Sequence, residues 1–134
     1  MQLIKYVAAY TSLSILMKKE FPYKIAYELV KLKRKLAPKV EYYAAEEAVL
    51  VKRFAKCDER GEPIINGSHF DCKGDTPEEI TSNTRLFEHL CRELGAVEDD
   101  EEIVRVKMPI ADDVKIIPEV IEALADFIEF EVDG

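Results

Sequence analysis

Apolar residues return every three or four positions along the N-terminal part of the chain. Tyr6, Tyr10, Leu13 and Met17 fall at spacings of four, three and four, which predicts a helix from about Ile4 to Lys19 with one apolar face. Phe21-Pro22 ends it, because proline lacks a donor and the residue before it avoids the helical region. Pro22 also suits the first turn of a following helix. There the rhythm is strongest: Ile25, Leu29, Leu32, Leu36, Val40, Tyr43, Leu50 and Phe54 form a stripe, opposite Lys24, Lys31, Lys33, Lys35, Lys39, Lys52 and Arg53. Pro38 interrupts this segment, yet the stripe stays in phase through it, so one kinked helix is expected rather than two. A stripe of this length fits an antiparallel helical hairpin over residues 1–57, or a coiled-coil-like contact with another chain.

After Lys56 the pattern shortens. Asp58-Glu59-Arg60-Gly61 reads as a turn. Ile64-Ile65 and His69-Phe70, joined through Asn66-Gly67, read as a two-strand hairpin, since Asn-Gly accepts the positive φ such turns need. Thr76-Pro77-Glu78-Glu79 announces a helix with a capping box and proline in its first turn. Its inner face is Ile80, Thr84, Phe87, Leu90 or Cys91, and Leu94, and Gly95 stops it. Glu98 to Glu102 is an acidic loop. Ile103, Val104, Val106 and Met108 predict a strand with Arg105 and Lys107 outward, ended or edged by Pro109. Ile116-Ile117 reads as a further extended piece, and Pro118 opens a last helix with Ile121, Leu124, and Phe127 or Ile128 inward. The expectation is a single α+β domain over residues 1–134. It comprises an N-terminal long helical hairpin (1–57), then a part (58–134) with a small antiparallel sheet and two further helices.

Composition narrows the class. A chain of 134 residues suits one domain with a real core, and 48% apolar with 34% charged residues is ordinary for a globular protein. No apolar run approaches the roughly 18 residues that span a bilayer. The stretch Met1 to Met17 carries one lysine, Lys5, and is interrupted by Tyr6, Tyr10, Thr11, Ser12 and Ser14, so it reads as an amphipathic helix rather than a signal peptide. A cytoplasmic origin is expected. Cys57, Cys72 and Cys91 are odd in number and contain no CxxC pair, which fits reduced thiols. A net charge of −8 argues against direct nucleic-acid binding, which needs clustered cations.

Catalytic templates fail on inventory. The five glycines are spread singly, with no P-loop, GxGxxG or GxSxG, and neither His69 nor His89 lies near a convincing nucleophile in sequence. Cys57, His69, Cys72, His89 and Cys91 lack the paired spacing of a zinc site, and helical positions two apart, such as His89 and Cys91, diverge. They read as small hydrophobes and surface histidines; no metal or cofactor is expected. The run Glu98, Asp99, Asp100, Glu101 and Glu102 does not match a calcium loop. It reads first as a solvated loop protecting the neighbouring strand, second as a mimic of a nucleic-acid backbone. Glu46-Glu47 reads as solvated helix surface. Lys31, Lys33, Arg34, Lys35 and Lys39 form a positive cluster on a negative protein, beside Tyr23, Tyr27, Tyr42 and Tyr43. Tyrosine and arginine serve well at interfaces. The candidate interaction surface is therefore Tyr23, Tyr27, Lys31, Arg34, Lys35 and Tyr42.

The order of these signals resembles a known family. Phe21-Pro22-Tyr23-Lys24-Ile25-Ala26-Tyr27-Glu28-Leu29 opens the long helix, Glu46 and Glu47 precede Leu50 and Lys52, and Cys57-Asp58-Glu59-Arg60-Gly61 turns the chain. A central helix follows, then Ile117-Pro118-Glu119-Val120-Ile121-Glu122-Ala123-Leu124 with Phe127-Ile128. This is similar to a family of small proteins from tailed phages and prophages of Gram-positive bacteria, domain of unknown function 1617. Phe21 stands where that family has leucine and Cys57 where it has lysine, while Pro38 and the stretch Asp71 to Ser82 depart from its pattern. The matching motifs are turns and caps, which carry fold rather than activity. The resemblance implies a viral product in the bacterial host cytoplasm or the virion, and supplies no catalytic residues. The expected function is a non-enzymatic interaction module, an accessory in virion or tail assembly. Its partner would be a protein: a second copy in a homo-oligomer, a phage structural protein, or a host protein. The alternative is an acidic host-directed inhibitor that places Glu98 to Glu102 in a basic groove.

Overall fold

A computed structural model describes residues 1–111 and 113–132. The elements are α1 (Leu3–Leu16), α2 (Tyr23–Phe54), α3 (Pro77–Gly95), β1 (Val106–Ile110), α4 (Pro118–Leu124) and β2 (Ile128–Val132). The fold is mixed helix and strand. Two compact units divide the chain: Met1–Glu41 with the chain from Glu98 onward, and Tyr42–Val97.

In the first unit, α1 buries Leu3, Tyr6, Ala9, Leu13 and Leu16. The expected face was right at Tyr6 and Leu13, whereas Tyr10 and Met17 are only half-buried. Small Ala9 is fully covered, and Met17 falls past the last helical residue. Helix α1 packs on α4. It meets α2 where the Lys33 ammonium lies 5.5 Å from the Tyr10 ring centre and that of Lys39 5.0 Å from the Tyr6 ring centre. Leu29, Leu32 and Leu36 of α2 are buried in this unit, as are Met108, Val120, Leu124, Phe127 and Ile128. Each fully buried leucine contributes about 1.5–3 kcal/mol relative to exposure. The rings of Tyr6 and Phe127 pack at 5.7 Å.

The sheet corrects the sequence expectation. Among the described residues it has two strands, and β1 and β2 run parallel, in register from Val106 opposite Ile128 to Ile110 opposite Val132. Parallel neighbours cannot be joined by a tight turn and need a crossover of a dozen or more residues. Helix α4 lies in that crossover. The last helix was expected to carry Phe127 and Ile128, but it stops at Leu124, and the Phe127 N–H closes a turn onto the Leu124 carbonyl at 2.9 Å. The chain then alternates Ile128, Glu129, Phe130, Glu131, the period of a strand. Strand β1 begins later than expected and runs through Pro109. The Val106 N–H donates to the Phe127 carbonyl of the β2 side at 2.9 Å, so alternation turns the Pro109 nitrogen away from β2 and no ladder bond is lost. Ile116 and Ile117 form no strand.

Helix α2 is continuous through Pro38. The proline leaves the Arg34 carbonyl without its helical donor, and both residues are exposed.

The second unit contains the C-terminal part of α2 and α3. The Phe87 ring of α3 sits edge-on to Phe54 at 5.9 Å and to Phe70 at 5.1 Å. The Lys56 N–H donates to the Asp71 carbonyl at 2.7 Å and the Lys73 N–H to the Phe54 carbonyl at 2.8 Å. The Asp58 carboxylate accepts the N–H groups of Arg60 and Glu62, and Gly61 closes that turn at φ +81°. The expected Ile64–Phe70 hairpin reduces to one bridge between Asn66 and His69. Ile64 and Ile65 stay exposed, and a two-strand ribbon without a face to bury is marginal. The Thr76 cap is present: its hydroxyl accepts the Glu79 N–H at 3.2 Å, and Glu79 reaches back to the Asp75 N–H at 2.8 Å.

Candidate docking site

Helical geometry sets Tyr23, Tyr27, Lys31 and Lys35 four residues apart, with Arg34 beside Lys35, on one face of α2. All five are exposed, Tyr23 at 95% and Tyr27 at 63%. The Lys31 ammonium lies 5.4 Å from the Tyr27 ring centre, a cation–π contact worth about 0.5–1 kcal/mol at an exposed site. Lys31 also sits 3.6 Å from Glu28, an exposed pair that contributes about 0–1 kcal/mol. Tyr42 is exposed too, but it belongs to the second unit.

Beside this face opens a cleft of about 300 Å³ lined by Glu28, Lys31, Leu32 and Lys35 of α2 and by Val104 to Lys107. Arg105 and Lys107, assigned from sequence only to the outward side of a strand, thus join Lys31 and Lys35. The alternation of 105 and 107 was legible; their meeting with α2 depends on tertiary packing across some seventy positions of chain, which no local pattern encodes.

The acidic loop is engaged within the first unit. Lys39, assigned to the solvent face of α2, is buried at 8% exposure. It occupies the core stripe Leu29, Leu32, Leu36, Lys39, where a three-residue step was as consistent with the rhythm as the four-residue step to Val40. Its ammonium donates to the Asp99 carboxylate at 2.8 Å and to that of Glu101. Burial disfavours the charged lysine, but hydrogen bonds to Asp99 and Glu101 and their charges outweigh it, and the Lys39 pKa is raised. Asp99 is held below the usual carboxylate range, first by the Lys39 hydrogen bond and then by the Glu101 N–H. The Tyr6 hydroxyl donates to the Asp99 carbonyl at 3.4 Å, and burial followed by the Asp99 charge pushes its pKa up. Glu98 pairs with the Met1 amino group at 3.0 Å. Asp100 and Glu102 are exposed.

The candidate metal residues all lie in the second unit, where Cys72 shares one pocket with Cys57 and another with His69. His69 lies 3.4 Å from Asp71 and His89 2.9 Å from Glu93, all exposed. Cys57, Cys72 and Cys91 are free thiols, and burial, then Glu47 and Glu88, raise the Cys91 pKa. Among the described residues no three metal-ligating side chains converge. Glu46 and Glu47 are exposed. No helix of the described residues is long and apolar enough to cross a membrane.

Comparison with known proteins returns no matching family model, no matching curated protein and no matching solved structure.

Proposed function

We propose that this chain is a non-enzymatic interaction module that docks a protein partner on the Tyr23–Lys35 face of α2. The observation that carries the reading is the exposure of Tyr23 and Tyr27 beside Lys31, Arg34 and Lys35 on one helical face. Exposed aromatic side chains gain most when a partner covers them, and tyrosine with arginine is enriched among the residues that dominate binding energy. On the resemblance to the phage family, we assign the partner to the structural proteins of a phage. The role is then an accessory in virion or tail assembly, carried out in the bacterial host cytoplasm or in the virion. The inhibitor reading is weaker, because Asp99 and Glu101 are bound to Lys39.

Affinity capture from cells that carry the gene tests this, comparing the tagged protein with its Tyr23→Ala/Tyr27→Ala variant. The parent protein is expected to retain virion proteins in stoichiometric amounts, and the variant to lose at least nine-tenths of them. Equal recovery by both, or no retained protein, overturns the reading.

A further inference from the structure

We propose that the cleft between α2 and the Val104–Lys107 segment binds an acidic, extended segment of the docked partner, a claim that rests on the docking reading. Four cations surround the cleft: Lys31, Lys35, Arg105 and Lys107. Lys31 has Glu28 nearby at 3.6 Å. Among the described residues no carboxylate lies within ion-pair distance of Lys35, Arg105 or Lys107, although the chain carries 27 acidic side chains and a net charge of −8. Clustered like charges without partners repel one another, and an anion entering between them removes that repulsion.

The shape selects a peptide segment. Val104 is 80% exposed and stands with Leu32 and Val106 at the cleft, so apolar contact is offered beside charge. The only strand paired with β1 among the described residues is β2. Alternation turns the N–H and C=O of Lys107 to the other edge, where an extended chain can hydrogen-bond. Pro109, the next outward position, has no N–H, so strand addition is confined to the end of β1 that borders the cleft. A volume of about 300 Å³ lies at the low end of ligand sites, roughly 300–1,000 Å³, and holds a short stretch of peptide. A long nucleic acid would meet the repulsion of the remaining acidic surface.

Fluorescence anisotropy with a labelled octapeptide of alternating glutamate and valine tests the assignment. Saturable binding is expected, weakened at least tenfold in Lys35→Glu/Arg105→Glu and in the milder Lys31→Gln/Lys107→Gln. A glutamine–valine peptide should bind at least tenfold more weakly. No saturable binding, equal binding by the charge variants, or equally tight binding of a labelled oligothymidylate overturns the proposal. If the peptide fails while Tyr23→Ala/Tyr27→Ala still abolishes capture, the cleft assignment falls and the docking reading stands. Loss of both would remove the two together.

Discussion

Lys39 shows how a single charge shapes the first unit. A buried ammonium without partners would be strongly destabilising, but two carboxylates of one short loop reach it, and it lies 5.0 Å from the Tyr6 ring centre. Replacing it by methionine keeps the stem and leaves Asp99 and Glu101 unpaired. Since Glu101 remains 58% exposed and water can solvate it, the loss is expected to be about 1–3 kcal/mol by urea unfolding, below the 3–5 kcal/mol of a fully buried pair. The pH dependence has two limbs. Asp99 is depressed below its ordinary value of 3.8, so its contribution is full above that value and is lost as pH falls through the folded-state pKa. Lys39 is raised above 10.5, so its contribution is full below that value and is lost as pH rises through the folded-state pKa. The stability gap between the parent and Asp99→Asn is therefore expected to be flat from about pH 5 to 9 and to narrow in acid. A gap that widens in acid contradicts the ion-pair account. The charge sign of Lys39 and the loop was legible in the sequence; their partnership was not, because a lysine on a helix is ordinarily solvated.

At the scale of elements, local chemistry wrote the helices more plainly than the strands. Thr76 and Glu79 announced α3 because a cap is read within four residues, and both hydrogen bonds are formed. Thr76→Ala is expected to cost about 1 kcal/mol and to lower the melting temperature. An unchanged melting curve would show that the cap carries no weight. Helix α2 was legible through its three-and-four stripe, which survives Pro38. Strand β2 was missed although Ile128, Glu129, Phe130 and Glu131 alternate, because Pro118 opened a helix whose period also captured Phe127 and Ile128. The antiparallel expectation failed for a further reason: Asn66-Gly67 made a turn but found no apolar face to hold strands together. The actual partner of β1 comes from across a helix, and such pairing depends on packing rather than on turn chemistry.

For the molecule as a whole, an acidic chain presents one face of α2 where lysines, arginine and tyrosines stand uncovered. Charge and periodicity picked out that helix face from sequence, whereas Arg105 and Lys107 entered only through the fold. Protein docking on this face is the central claim, and a photo-crosslinking amino acid at position 27 tests it most directly in cells that carry the gene. The account predicts one discrete protein adduct at position 27 that is absent when the crosslinker replaces Glu59, an exposed position of the second unit. It also predicts that Lys31→Glu/Lys35→Glu weakens that adduct. No adduct, or the same adducts from both positions, would contradict it.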